Sequence, residues 1–196
     1  MTGKTKIAIF ASGSGSNFAA LEIACREGEL DAEIVLVMTD KPASFVVERA
    51  RQADIRAVAL EQNAFPSKRE FEEALIAILQ EAGVEWIVLA GYMRLIGPTL
   101  LDAYPSRIVN IHPSLLPSFP GKDAIGQAIA HGVKVTGVTV HLVDEGMDTG
   151  PILAQAAVRV VEGNPEMTAQ AIHAVEHVIY KEALQSLFTS EMKCKA

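Results

Sequence analysis

Cysteine is nearly missing from this chain: Cys25 and Cys194 are the only two among 196 residues. They fit no zinc-ligand spacing and offer no disulfide framework, so a cross-linked secreted fold is disfavoured and two reduced thiols are expected. Long apolar runs are missing too; no window reaches the roughly 18 apolar residues of a membrane helix. Positive charge is in deficit, with 17 Lys and Arg against 24 Asp and Glu and a formal net charge of -7. Such a surface disfavours nucleic-acid backbones and anionic membranes as partners, while leaving room for a local pocket that takes a small anion. The opening Met1-Thr-Gly-Lys-Thr-Lys6 runs straight into Ile7-Ala-Ile-Phe10, without the apolar core and cleavage site of a signal peptide. A soluble, cytoplasmic protein is the expectation. There is no internal repeat, low-complexity tract or linker, so residues 1–196 are expected to form a single domain.

What the chain does have is a core and a rhythm. Hydrophobic residues make up 49% and charged residues 21%, a globular balance. Short β-branched apolar runs alternate with helical patterns. Strands are predicted at 6–11, 33–39, 55–60, 86–90 and 107–112, and helices at 17–26, 44–53 and 123–131. Ser67 and Glu70 stand at capping-box spacing before the apolar stripe Phe71, Leu75, Ile78, Leu79 and Ala82, which Gly83 ends. Gly97-Pro98 opens a short helix. After Lys134 the rhythm changes: two strand-like runs, 135–143 and 152–161, flank a turn, and one long amphipathic helix covers 168–188. The fold class expected is α/β: an open, mostly parallel Rossmann-like sheet with helices on both faces and antiparallel or mixed strands near the C-terminal part.

Three constellations suggest chemistry. Ser12-Gly-Ser-Gly-Ser-Asn17 lies between the first strand and first helix, where free amides and the helix dipole suit a phosphate. It approximates a dinucleotide fingerprint, with Phe18 where a small residue is wanted and Asp40 near the spacing of a ribose-binding acid, so a nucleotide-binding module remains open at this point. Asn110 and His112, two apart on one strand, share a face at its carboxyl end, where open α/β sheets bind ligands. Pro113, Pro117 and Pro120 stiffen the loop that follows. Asp144-Glu-Gly-Met-Asp148-Thr-Gly-Pro151 lacks the ligand spacing of a calcium loop and reads as a shaped turn. Nothing in the spacing brings Asp148 to His112. His112, His131, His141, His173 and His177 form no helical metal pair with a third ligand, so no metal is expected. His141 suits the site or the core equally.

Asn110-Ile-His-Pro-Ser-Leu-Leu-Pro117, with Pro120-Gly121 and the Asp144–Pro151 turn, resembles the signature of the formyltetrahydrofolate-dependent formyltransferases. Gly13-Ser-Gly-Ser-Asn17 and Leu89-Ala-Gly-Tyr-Met-Arg94 extend the resemblance over nearly the whole chain. It implies transfer of the formyl group of 10-formyltetrahydrofolate, a co-substrate, to the amine of a small phosphorylated acceptor. The matching branch acts on glycinamide ribonucleotide in de novo purine synthesis. Relatives acting on tRNA carry an added carboxy-terminal module, and deformylases an added amino-terminal one; the length leaves room for neither. The resemblance implies Gly15, Ser16, Asn17, Phe18, Ala19 and Glu176 as acceptor-binding residues, and Lys68, Met93, Arg94, Leu95, Ile96 and Asn110 as folate-binding ones. It implies Asn110, His112 and Asp148 as the catalytic group, Asp148 holding His112 in its charged form. Relatives include monomers and dimers, so a monomer or homodimer is expected.

Overall fold

The structure is a computed structural model that describes residues 3–195, with side chains described as far as residue 190. Cys194 therefore lies outside the described side chains. The chain divides into two compact units, Met1–Val109 and Asn110–Ala196.

In the first unit, β1 (Thr5–Phe10) is the central strand. It pairs in parallel with β2 (Ala32–Thr39) on one side and β4 (Trp86–Leu89) on the other, and β2 pairs in parallel with β3 (Ala57–Ala59). Ile7, Ile9, Phe10, Leu36, Val37, Ile87 and Val88 have no exposed surface, so these strands are buried on both faces. That burial is why they read as unbroken apolar runs. The predicted third strand is cut to three residues. Between the strands run α1 (Ser16–Glu27), α2 (Phe45–Gln52), α3 (Lys68–Glu81) and α4 (Pro98–Ala103). Gly28 closes α1 in the left-handed conformation, φ 79°, and returns its N–H to Ala24 O. Ser67 caps α3, its Oγ accepting from Glu70 N at 3.2 Å. The Glu70 carboxylate in turn takes the Ser67 hydroxyl, 3.3 Å away, so its side chain meets the cap's hydroxyl rather than the cap's backbone N–H.

In the second unit, β6 (Val135–Leu142) and β7 (Ile152–Arg159) form an antiparallel pair whose register slips between Val140 and His141. A slip of this kind re-aims the side chain beside it. α5 (Ala124–Ala130) precedes the pair, and α6 (Pro165–Lys195) packs against β6, β7 and α5. The helix is longer than its apolar stripe: it begins three residues earlier and continues past Phe188. Its buried side is Ile172, Glu176, Ile179, Tyr180, Ala183, Leu184 and Phe188. β5 (Ile108–His112) carries the division itself, between Val109 and Asn110. The hydrogen-bonded strand order is β3-β2-β1-β4-β5-β6-β7, a mostly parallel seven-stranded sheet with an antiparallel last pair and helices around it. Among the described residues no helix is long and apolar enough to cross a membrane.

Candidate active site

The Ser/Gly loop leaves β1 and enters α1 through Gly15, which sits at φ 71°. A Cβ there would lie 2.7 Å from Val46 Cγ2, so glycine is required by both the dihedral and the neighbour. The start of α2 fixes the loop from behind. Val46 N donates to Gly13 O at 3.2 Å, and Arg49 Nε donates to Ser14 O at 2.9 Å while its guanidinium lies over the Phe45 ring. With these carbonyls engaged by α2, the loop is held as a shaped entrance to the positive end of α1. Phe18 is 1% exposed and belongs to the core, so only its backbone can serve a ligand. Asn17 is also buried, and Ala19 N closes the first turn on Gly15 O at 3.0 Å. Gly15→Ala should lower stability by about 2–5 kcal/mol, combining left-handed strain with the Val46 clash. Denaturant unfolding measures this, and a loss below about 1 kcal/mol would contradict the packing described.

The loop after β4 turns at Gly91, φ 79°. Met93 and Leu95 are 63% and 54% exposed, whereas Ile96 is buried at 5%. Of the four residues expected along a folate wall, two therefore present apolar side chains outward and one faces the core. The fourth, Arg94, is tied down, its Nε donating to Asp40 Oδ2 at 2.8 Å and its Nη1 to Gln62 Oε1 at 3.1 Å. The far end of the loop is fixed by Glu72, a buried carboxylate that accepts from Gly97 N at 2.6 Å and Leu100 N at 3.2 Å and so caps α4. Lys68 Nζ lies 3.9 Å from the same carboxylate. Sequence reading missed Glu72, because it sits among exposed charges of α3 and its partners are backbone amides 25 or more residues away.

The second unit gathers four polar side chains. Asn110 and His112 come from β5, His141 from β6 beside the register slip, and Asp148 from the turn between β6 and β7. Asp148 has φ 57°, a left-handed backbone that aims its carboxylate back at β5, and Gly121 N anchors its Oδ2 at 2.8 Å. His112 Nδ1 stands 3.4 Å from that oxygen. His112 Nε2 donates to Phe119 O at 2.8 Å. A carbonyl only accepts, so Nε2 carries a proton; Nδ1 facing a carboxylate is favourable when it is protonated as well. Leu142 O takes His141 Nδ1–H at 2.8 Å, so in a neutral ring His141 Nε2 is an acceptor. Asn110 Nδ2 lies 3.2 Å from that Nε2 and 3.4 Å from Asp148 Oδ1, so its two hydrogens serve both.

The Asp148 carboxyl is held below the ordinary carboxylate range, first by His141, whose Nε2 can donate to it only when the ring is protonated, then by the Gly121 amide and the charges of His112 and His141, against the opposing effect of burial. His141 Nε2 is 3.6 Å from Asp148 Oδ1, a long approach, and the Gly121 amide is geometrically the firmer anchor. On α6, Glu176 is 4% exposed and accepts from His173 Nδ1 at 3.1 Å. That contact raises the pKa of His173, against burial. Among the described residues no cluster of His, Cys, Asp and Glu could hold a metal ion.

Residues 5–184 match the family model described as formyl transferase. The chain is 52% identical to a phosphoribosylglycinamide formyltransferase of Bacillus subtilis (strain 168), over 93% of this chain and 94% of that one. Among solved structures it is similar to phosphoribosylglycinamide formyltransferase from Bacillus halodurans, with a TM-score of 0.91 and 53% identity, covering 93% of this chain and 95% of that one. Glycinamide ribonucleotide transformylase 1 from Geobacillus kaustophilus matches with a TM-score of 0.91 and 52% identity, covering 94% and 98% of the two chains.

Proposed function

The chain belongs to the formyl transferase family, and we propose that it moves the formyl group of 10-formyltetrahydrofolate to the amine of glycinamide ribonucleotide, a step of purine synthesis. The products are formylglycinamide ribonucleotide and tetrahydrofolate. The observation that carries this reading is the Asn110–His112–Asp148 cluster, in which one anchored carboxylate reaches both β5 side chains within 3.4 Å. The acceptor amine, as free base, attacks the formyl carbon and creates a tetrahedral centre bearing negative oxygen. His112, charged against Asp148, donates a hydrogen bond to that oxygen, and Asn110 supplies a second donor, worth about 3 kcal/mol each. In the structure the relevant donors already have protein partners. Phe119 O must yield His112 Nε2–H, and Asn110 must release one Nδ2–H, as the oxygen develops charge. The carbon–nitrogen bond to the folate then breaks, and the proton lost by the amine reaches the departing folate nitrogen through water near Asp148. Neither step calls for a metal.

The acceptor phosphate is assigned to the Gly15–Ala19 segment and Glu176 to the rest of the acceptor. The folate is assigned to Lys68 and the Met93–Ile96 wall. Both co-substrates are small molecules, and no nucleic-acid or membrane partner is included in the reading. The family match runs through both units, which supports one formyltransferase domain. The reading places it in the cytoplasm, as a monomer or homodimer. Formyl-folate consumption, followed with and without glycinamide ribonucleotide, tests the assignment. Consumption should depend on the acceptor mole for mole, and hydrolysis at a similar rate without it would rule out transfer.

A further inference from the structure

Asp40 follows the last residue of β2 and is 6% exposed, yet it is far from the cluster that carries the chemistry in sequence. Both carboxylate oxygens are engaged. Oδ1 accepts from Ser12 Oγ at 2.5 Å and Oδ2 from Arg94 Nε at 2.8 Å. Ser12, 3% exposed, is itself a junction: its Oγ accepts from Met93 N at 3.0 Å, and its own N–H donates to Gly91 O at 3.1 Å. One buried carboxylate thus orients a hydroxyl of the Ser/Gly loop, which in turn holds the amide of Met93, and the same carboxylate holds the side chain of the next residue. Tyr92, between Gly91 and Met93 in the chain, lies edge-on to Phe10 at 5.2 Å, and its hydroxyl pKa is raised, chiefly by burial and then by the charge of Asp40. The far end of the loop is fixed separately by Glu72. Asp40 therefore governs the near half of the loop, the part whose Met93 and Leu95 side chains stand outward.

We propose that Asp40 is a positioning residue for the folate wall, acting through Ser12 and Arg94 to set the backbone of the Tyr92–Leu95 segment. The proposal rests on the assignment of that segment to formyl-folate. Ser12, a side chain on the Ser/Gly loop, thereby acts on the affinity for the other co-substrate. Without the carboxylate, Arg94 loses its charged partner and the Ser12 hydroxyl is free to rotate away from Met93 N. Asp40 is buried while the Arg94 side chain is 38% exposed, and the charge-assisted bond holds the guanidinium better than a neutral acceptor would.

Initial rates with each co-substrate varied in turn test this, in Asp40→Ala, Asp40→Asn, Ser12→Ala and, as a reference for the wall itself, Leu95→Ala. Asp40→Ala should raise KM for formyl-folate about tenfold or more, the loss of one charge-assisted bond, while KM for the acceptor and kcat stay within about twofold. Asp40→Asn keeps an acceptor for Ser12 and should give a smaller rise in the same constant. Ser12→Ala should shift the folate constant in the same direction as Asp40→Ala, and by a larger factor than any change in the acceptor constant. Should Asp40→Ala fail to fold, the Asn and Ser12 variants decide the question by the same readout. An unchanged folate KM in the Asp40 and Ser12 variants, with a raised one in Leu95→Ala, overturns the proposal alone. An unchanged folate KM in all four removes the folate assignment of the segment and the proposal with it. A fall in kcat with comparable rises in both KM values would mark Asp40 as a general stability residue and also overturn it.

Discussion

Asp148→Asn should lower kcat by about 10²- to 10⁴-fold, the range spanned by losing acid–base assistance, while the fold persists. The amide is isosteric with the carboxylate and can still accept from Gly121 N, now at 2.8 Å from Oδ2. What it cannot do is match both of its sides. With its oxygen toward Gly121 and His112, its NH2 meets the Asn110 Nδ2 donor, now 3.4 Å from Oδ1. Turned the other way, its NH2 meets the Gly121 N–H and His112 Nδ1–H instead. Either orientation removes the negative charge that supports a charged His112. The same substitution has a signature in stability. The Asp148 carboxyl is held below its usual range in the folded protein, first by His141 and then by Gly121 and the ring charges. A depressed folded value contributes stability that is fully present above the unfolded value of about 3.9 and is lost as pH falls through the folded value. The Tm of wild type should therefore exceed that of the variant near neutral pH and converge toward it in acid. A kcat within about tenfold of wild type would sink the assigned role of Asp148.

The strand pair was legible because its geometry is local. Asn110 and His112 are two apart, a pleated strand puts both on one face, and the structure has both within reach of one carboxylate. Asp148 was not legible in that way. Its approach depends on a left-handed backbone at a non-glycine residue and on a proline-rich loop bringing Gly121 N to its oxygen. No periodicity encodes either feature, and only the family resemblance put Asp148 in the site. His141 stood equally for core and site; it is 2% exposed and its Nε2 meets Asn110 at 3.2 Å. A register slip beside it, invisible in a run of alternating strand residues, gives it that aim. The buried strands and the caps at Ser67 and Gly28 were readable because burial on two faces and helix ends leave local marks.

Asp40 shows why a spacing rule misled where a residue type did not. Its distance from the glycine loop fits a ribose-binding acid, and the structure gives the carboxylate two partners there. Its oxygens, however, are already taken by Ser12 and Arg94, so neither is presented to a sugar hydroxyl. Phe18, buried in the core where a dinucleotide fingerprint wants a small residue, departs from that pattern, and of the two supports of the nucleotide-module reading, the glycine loop and Asp40, the loop alone keeps its force. The Ser/Gly loop is left as a site for a phosphate at the head of α1, which a phosphorylated acceptor satisfies as well as a nucleotide does.

His112→Ala should also depress kcat by about 10²- to 10⁴-fold, and the informative experiment combines it with Asp148→Asn. The imidazole joins the carboxylate, through Nδ1 at 3.4 Å, to a second hydrogen-bonding site at Nε2. If Asp148 works by keeping that ring charged, it has nothing to act on once the ring is gone. The double variant should then be no more than a few-fold slower than His112→Ala alone, the strong non-additivity of groups acting as a unit. Ring removal also takes the 2.8 Å donor from Phe119 O, whose remaining contact, Ser114 Oγ at 3.5 Å, is weak. Some loss of Tm is therefore expected in the single variant, and it should not grow when Asp148→Asn is added near neutral pH by more than that substitution costs alone. Losses in kcat that multiply in full would mean that Asp148 does its work apart from His112, on the migrating proton itself. That result would retain both residues in the site while breaking the pairing on which the charged imidazole depends.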